Sequence, residues 1–244
     1  MKKSVSKKPT KQIYKNYTKE DFKVWNILFN RQLKNLEGIV ADEFIIALKD
    51  LNFKAEKIPN FIEVNNTLKN ITGWSIKTVP NISPPEQFFS FLSRKKFTTT
   101  CWLRSMNQID YLEEPDMFHD VFAHVPLLSN KDYTNFFKEI GEIAVSVIND
   151  PVKLKKLQRI YWFTIEFGLI KRNKDFKIYG AGIISSKEES QNVLSSKSKK
   201  KKFDVNTIMN HSFRIDVVQD IYYYIDSFEE LTSSINEIRK NINI

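Results

Sequence analysis

The chain is poor in the residues that staple, hinge or span. One of its 244 residues is cysteine, Cys101, so no disulfide can form within it, which fits a reducing compartment. Six glycines make a phosphate-cradling loop improbable, and neither GxGxxG nor GxxxxGK[ST] occurs. No apolar run approaches the ~20 residues of a membrane helix. The lysine-rich start has no apolar core behind it, so no signal peptide is expected. Histidine is scarcer than glycine: there are three.

Acids are missing where the positive charge is densest. Residues 1–19 hold seven lysines and no acid, and "KSKKKK", 197–202, holds five lysines and no acid. Those twelve lysines exceed the net charge of +9, so the rest of the chain is acidic by three. The basicity belongs to a tail and a loop and not to a folded face with interleaved aromatics, which disfavours nucleic-acid binding. Residues 1–16 read as a disordered basic tail, residues 17–244 as one domain, and 195–202 as a flexible lysine-rich loop inside it.

Aromatic bulk is plentiful, with 19 Phe, 9 Tyr and 4 Trp, and calls for a packed interior. Thr18 reads as an N-cap, and Trp25, Leu28, Phe29, Leu33 and Leu36 follow at helical steps. Helical patterns recur in "ADEFIIALKDLNF", in "IPNFIEVNNTLKNITGW" and, behind proline, in "PPEQFFSFLSRKKF". "NKDYTNFFKEIGEIAVSVIND", "PVKLKKLQRIYWFTIEFGLI" and "DSFEELTSSINEIRKNI" continue the series, the last capped by Asp226 or Ser227. "FKIYGAGIISS" reads as a short strand and turn, and "FRIDVVQDIYYYI" as β-like. The fold class expected is mostly α, a single compact helical domain with a few short strands.

Two of the three histidines, His119 and His124, fall in "EPDMFHDVFAHVPLL", beside Asp116 and Asp120. Imidazole is a good ligand for iron, zinc, copper or nickel. Five residues along a regular helix is about 500° of rotation, so the two rings would diverge by roughly 140°. They share a metal only if the second sits where the helix ends, and Pro126 supplies a reason for it to end near there. A third ligand would be His211 or, better, Glu166, a carboxylate flanked by Phe163, Ile165 and Phe167. Two histidines and a carboxylate suit non-haem iron(II), with zinc competing.

The segment resembles the PDxxHDxxGHxP pattern of the pterin-dependent aromatic amino acid hydroxylases. The blocks "YTKEDFKVWNILFNRQLKNL", "TGWSIKTVP", "FFSFLSRKKF", "DYLEEPD", "YWFTIEFGLI", "YGAGIISS" and "RIDVVQDIYYYIDSFEEL" resemble, in order, those of short bacterial phenylalanine 4-hydroxylases, over about 17–231. The resemblance implies iron(II) on His119, His124 and Glu166, with Asp116 orienting the first histidine and Tyr161 lining the pocket. It implies Arg104 on the amino acid carboxylate, with Leu112, Trp162 and Ser185 at the substrate. It places Phe88, Ser83 and Asp120 at a tetrahydropterin such as tetrahydrobiopterin. The reaction implied is hydroxylation of L-phenylalanine to L-tyrosine with dioxygen and reduced pterin, by a cytoplasmic monomer with no membrane or nucleic-acid partner. Tryptophan as substrate, or zinc hydrolysis at the same three ligands, are the alternatives. Two positions depart from the pattern: Ala123 replaces glycine before the second histidine, and Asn81 replaces glycine in the "VPG" turn, where a positive φ is expected.

Overall fold

The computed structural model describes residues 8–244. Helices dominate. They are α1 (Lys19–Leu36), α2 (Asp42–Asp50), α3 (Phe61–Ile71), α4 (Pro85–Leu92), α5 (Lys131–Ser146), α6 (Pro151–Tyr161), α7 (Ala181–Ser185), α8 (Lys187–Asn192), α9 (Val205–Asn210), α10 (Phe228–Ser233) and α11 (Ile235–Asn241). Strands β1 (Ser75–Thr78) and β2 (Lys96–Thr99) form a parallel pair. Strands β3 (Gly168–Arg172), β4 (Asp175–Ile178), β5 (Lys199–Lys202) and β6 (Ile221–Ile225) form a sheet in the order β4-β3-β6-β5. No helix among the described residues is long and apolar enough to cross a membrane.

The helix starts follow the local chemistry of the chain. Thr18 and Asp21 form a capping box on α1, satisfying two of its free N–H groups. Asn60, Asn130 and Asp150 accept from the first turns of α3, α5 and α6. The stripe read from α1 buries Trp25, Leu28, Phe29 and Leu36, with Leu33 partly buried against the core. Phe118 and Phe122 stack at 4.6 Å and receive Trp25, Phe29 and Phe44 edge-on. That aromatic cluster forms the floor under the two histidines.

Five expectations change. Residues 1–7 of the expected tail lie outside the described residues, but residues 8–16 pack on the body. The Gln12 side chain donates to the Pro59 carbonyl (2.9 Å) and accepts from the Phe61 N–H (2.8 Å), and the Tyr14 hydroxyl donates to the Ile58 carbonyl (2.9 Å). The lysine-rich loop is in part a strand: Lys199–Lys202 pair in parallel with Ile221–Tyr224. Lys200 Nζ donates to the Ser195 and Ser198 carbonyls, and Lys202 pairs with Asp226 and Glu230. The helix expected through residue 170 stops at Tyr161, and the last helix breaks at Ser234 into α10 and α11. Asn81 is not among the residues with positive φ, so that turn needs no left-handed residue.

Helix α4, which carries Phe88, packs across α5 at Gly141. A Cβ there would lie 2.4 Å from the Ser93 nitrogen and 2.9 Å from the Leu92 Cβ. Gly141→Ala should therefore push α4 outward and lower stability by about 1–3 kcal/mol, the usual range for overpacking. Urea unfolding of the variant against the unsubstituted chain measures it.

Candidate metal centre

His119 and His124 lie on a π-helical segment, Phe118–His124. A π-turn bonds i to i+5, so residues five apart come onto one side. This corrects the divergence expected of a regular helix: the chain need not end between the histidines for them to meet. Pro126 still begins a separate 3-10 turn just after them. Phe118, Val121 and Phe122 of the segment are fully buried in the aromatic floor. The imidazoles meet at 3.2 Å, Nε2 to Nε2.

Glu166 comes from a second π-helical segment, Trp162–Glu166, which follows α6 directly. The Phe167 N–H donates back to the Trp162 carbonyl at 3.0 Å and closes that turn. Its carboxylate lies 3.2 Å from His124 Nε2 and 3.7 Å from His119 Nε2. Gly180 is packed against the Glu166 backbone: a Cβ at that position would sit 2.5 Å from the Glu166 carbonyl oxygen. One ligand atom from each of the three residues lies within 4.8 Å of the others, and no other such set of three occurs among the described residues. His211 is not in it. That ring stacks on Phe163 at 4.6 Å and meets the Tyr223 hydroxyl at 2.9 Å.

The electrostatics fit a cation. Burial pushes the His119 imidazole down to about 4, against the pull of Glu166. Burial would raise the Glu166 carboxyl, but His124, His119 and the neighbouring Tyr161 hydroxyl hold it down at about 2. Near neutral pH the site thus offers a neutral His119 and an ionised carboxylate, the forms a metal takes. Two nitrogens 3.2 Å apart and a carboxylate whose two oxygens approach them to 3.2 and 3.7 Å are a donor set suited to iron(II), with coordination positions left over.

The surrounding groups hold the ligands in place. Ser185, at the end of α7, meets His119 Nδ1 at 2.8 Å while donating to the Ala181 carbonyl at 3.0 Å. Helix α7 is itself tied to α1, because the buried Gln32 side chain donates to the Ile184 carbonyl at 2.7 Å. Asp116, expected to orient His119, makes no hydrogen bond to its ring and reaches that residue through the main chain. Its Oδ1 accepts from the Phe118 N–H (3.1 Å) and the His119 N–H (3.4 Å), at the start of the π-turn. Both its oxygens also take Arg104: Nε and Nη2 each donate at 2.9 Å, and the Arg104 backbone N–H donates at 2.9 Å. Asp116 is 0% exposed and the Arg104 side chain 11%, so this is a buried fork.

The remaining residues from the sequence reading lie around this core. Phe88 packs edge-on to Tyr161 (5.2 Å) and to Phe97 (6.1 Å), and the Phe97 ring lies against His124 at 4.8 Å. Burial pushes the Asp120 carboxyl up to about 7, even though Oδ2 accepts from the Thr100 N–H (2.7 Å) and hydroxyl (2.8 Å). Ser83 keeps a buried hydroxyl with no partner among the described residues. Leu112 is half-buried. Trp162 stacks on Phe213 at 4.5 Å. Ala123 is buried, its methyl accommodated beside His124. Phe97, which the sequence reading put at the end of the helical pattern opening at Pro84, lies instead in β2, and neither it nor Thr100 nor Gly180 sits in a motif that sets it apart from ordinary packing.

The family model for biopterin-dependent aromatic amino acid hydroxylases matches residues 4–244. The phenylalanine-4-hydroxylase of Chromobacterium violaceum is 44% identical over 216 residues, 88% of this chain and 72% of that one. That of Ralstonia nicotianae is 43% identical over 88% of this chain and 69% of its own. The crystal structure of the Chromobacterium enzyme with bound iron(III) and 7,8-dihydrobiopterin superposes with a TM-score of 0.89 at 39% identity, covering 97% of this chain and 86% of that one. The cold-active phenylalanine hydroxylase of Colwellia psychrerythraea gives 0.88 at 34% identity, over 93% and 88%. With two imidazoles and a carboxylate converging on one point in a matching fold, the chain belongs to the biopterin-dependent aromatic amino acid hydroxylases.

Proposed function

We propose that this chain is a phenylalanine 4-monooxygenase, converting L-phenylalanine to L-tyrosine with dioxygen and a tetrahydropterin at iron(II) held by His119, His124 and Glu166. The observation that carries the reading is the convergence of those three side chains within 4.8 Å. The relatives named phenylalanine-4-hydroxylase support the choice of ring. The single, buried Cys101 is in line with a reducing, cytoplasmic setting.

Bound iron and reduced pterin supply the activation of dioxygen that closed-shell side chains lack. The protein positions the reactants. Ser185 keeps the His119 ring turned so that Nε2 faces His124 and Glu166. Phe88 offers a half-buried aromatic face to a pterin ring, and the unpartnered Ser83 hydroxyl and the Asp120 carboxyl offer polar contacts near it. Leu112 and Trp162 form apolar wall for an aromatic side chain. Arg104 gives Asp116 its Nε and Nη2, which leaves Nη1 for the carboxylate of an amino acid. The fork to Asp116 fixes that nitrogen, and so fixes where the substrate ring lies relative to the metal.

Two measurements test this. Chelator-stripped protein reloaded with Fe(II) should form tyrosine from phenylalanine and tetrahydropterin, and His124→Ala should lose both iron retention and tyrosine formation. Zn(II) loading that sustains turnover, or activity without metal, would sink the assignment. Arg104→Lys retains a charge but cannot hold Asp116 by a fork and reach a second carboxylate. It should raise KM for phenylalanine and lower tyrosine formed per pterin oxidised, a loss in kcat/KM of about 2–4 kcal/mol. Iron content should stay normal, because Arg104 is not a ligand.

A further inference from the structure

Behind Trp162 runs a set of buried polar groups that neither the metal site nor the substrate clamp uses. Glu189 of α8 is buried, and its Oε1 accepts the Gln219 backbone N–H at 3.0 Å. Its Oε2 accepts the hydroxyl of Tyr222 on β6. Asn192 Nδ2 donates to the Gln219 carbonyl and to the Tyr222 oxygen, both at 2.7 Å. The main chain of Gln219 is thus held on both its N–H and its carbonyl side, just before β6 begins.

The held backbone aims the Gln219 amide at the segment in front of it. Oε1 accepts from Trp162 Nε1 at 3.2 Å. Nε2 donates to the Arg214 carbonyl at 3.0 Å and to the Val217 carbonyl at 2.9 Å. The orientation is unique, because an indole can only donate and a main-chain carbonyl can only accept. Residues 212–218 form no regular element, and Ser212, Arg214, Ile215, Asp216 and Val217 are exposed. Phe213 of that segment is stacked on Trp162 with 16° between the rings. One amide therefore ties an irregular segment to the aromatic ring it covers.

We infer that Gln219 is a positioning residue: it fixes the plane of Trp162, seats the 212–218 segment over it, and thereby sets which aromatic side chain the site accepts. The inference rests on the reading of Trp162 as substrate wall. An indole pinned at one face by Phe213 and at its edge by Gln219 has one orientation. Without the amide, the segment keeps Phe213 on Trp162, Phe163 and Lys155 but loses the two hydrogen bonds that hold its Arg214 and Val217 carbonyls. The wall then yields, and larger rings enter while phenylalanine is held less firmly.

Three variants separate the roles. Gln219→Leu removes the acceptor and the donors. Gln219→Glu keeps an acceptor for the indole but sets a carboxylate against the two carbonyls. Trp162→Phe removes the indole donor and leaves the segment its amide. Hydrogen exchange of metal-free protein should show amides in 212–218 exchanging about tenfold faster in Gln219→Leu and Gln219→Glu, the scale of losing one or two hydrogen bonds. Trp162 emission, taken as the difference from Trp162→Phe, should shift in Gln219→Leu and stay near its original position in Gln219→Glu. In iron-loaded protein, Gln219→Leu should raise KM for phenylalanine about tenfold, lower tyrosine formed per pterin oxidised, and improve tryptophan relative to phenylalanine, with iron retention unchanged. Unaltered exchange in 212–218 together with unaltered KM would overturn the inference. If Gln219→Leu does not fold, Gln219→Glu carries the same exchange and KM criteria. Trp162→Phe with an unchanged KM breaks the reading of Trp162 as substrate wall, whereas a raised KM there with silent Gln219 variants breaks only the inference about Gln219.

Discussion

A backbone bond that reaches back five residues instead of four is the constraint on which the centre depends. It winds the chain less per residue, and side chains five apart then share a side. His119 and His124 use this in the first widened turn; in a regular helix they would point roughly 140° apart. A second widened turn ends α6, delivers Glu166, and passes the chain into β3 within two residues. Widened turns are rare because their packing is poorer. Here the opposite side of the first turn is sunk among Trp25, Phe29 and Phe44, and that burial offsets the poorer backbone geometry.

The second organising element is a charge pair out of water. Asp116 is fully buried and would be unfavourable alone, so Arg104 is drawn in to meet it with a two-pronged contact. The same carboxylate accepts the N–H groups that open the His119 turn. Metal ligand and arginine are therefore set by one anion and cannot move independently. Loss of either partner leaves an isolated buried charge, which costs about 3–5 kcal/mol in comparable pairs. Asp116 thus governs the ring of His119 through the main chain, while Ser185, 66 residues further on, governs it through Nδ1.

How much of this was legible in the sequence depended on whether the signal was local. The histidine pair and the apolar-flanked Glu166 stood out by scarcity and context, and the cap of α1 by residue type. The meeting of the histidines was not readable from periodicity, because helical templates assume 3.6 residues per turn. The contact of Ser185 with His119 left no trace in spacing. The lysine run looked like solvated loop because lysine has little preference for strands, and only pairing with β6 makes it one. Residues 8–16 looked unfolded by composition, yet Gln12 and Tyr14 find carbonyls more than forty residues away. In Ser185, the lysine strand and residues 8–16 a long-range partner outweighed the local preference, whereas the histidine pair turns on a local change in backbone winding.

The strand Lys199–Lys202 stands at the end of its sheet, with no further strand beside it among the described residues. An open strand edge invites a second chain to extend the sheet, and lysines are a common defence. Two copies of this edge brought together would face each other with eight ammonium groups, of which two, the Lys202 of each copy, are partly offset by Asp226 and Glu230. The repulsion acts over about 8 Å at physiological ionic strength and shrinks as salt rises. The run that carries more than half of the net charge therefore makes the protein's colloidal behaviour, and not its chemistry, the property most exposed to the ionic strength around it.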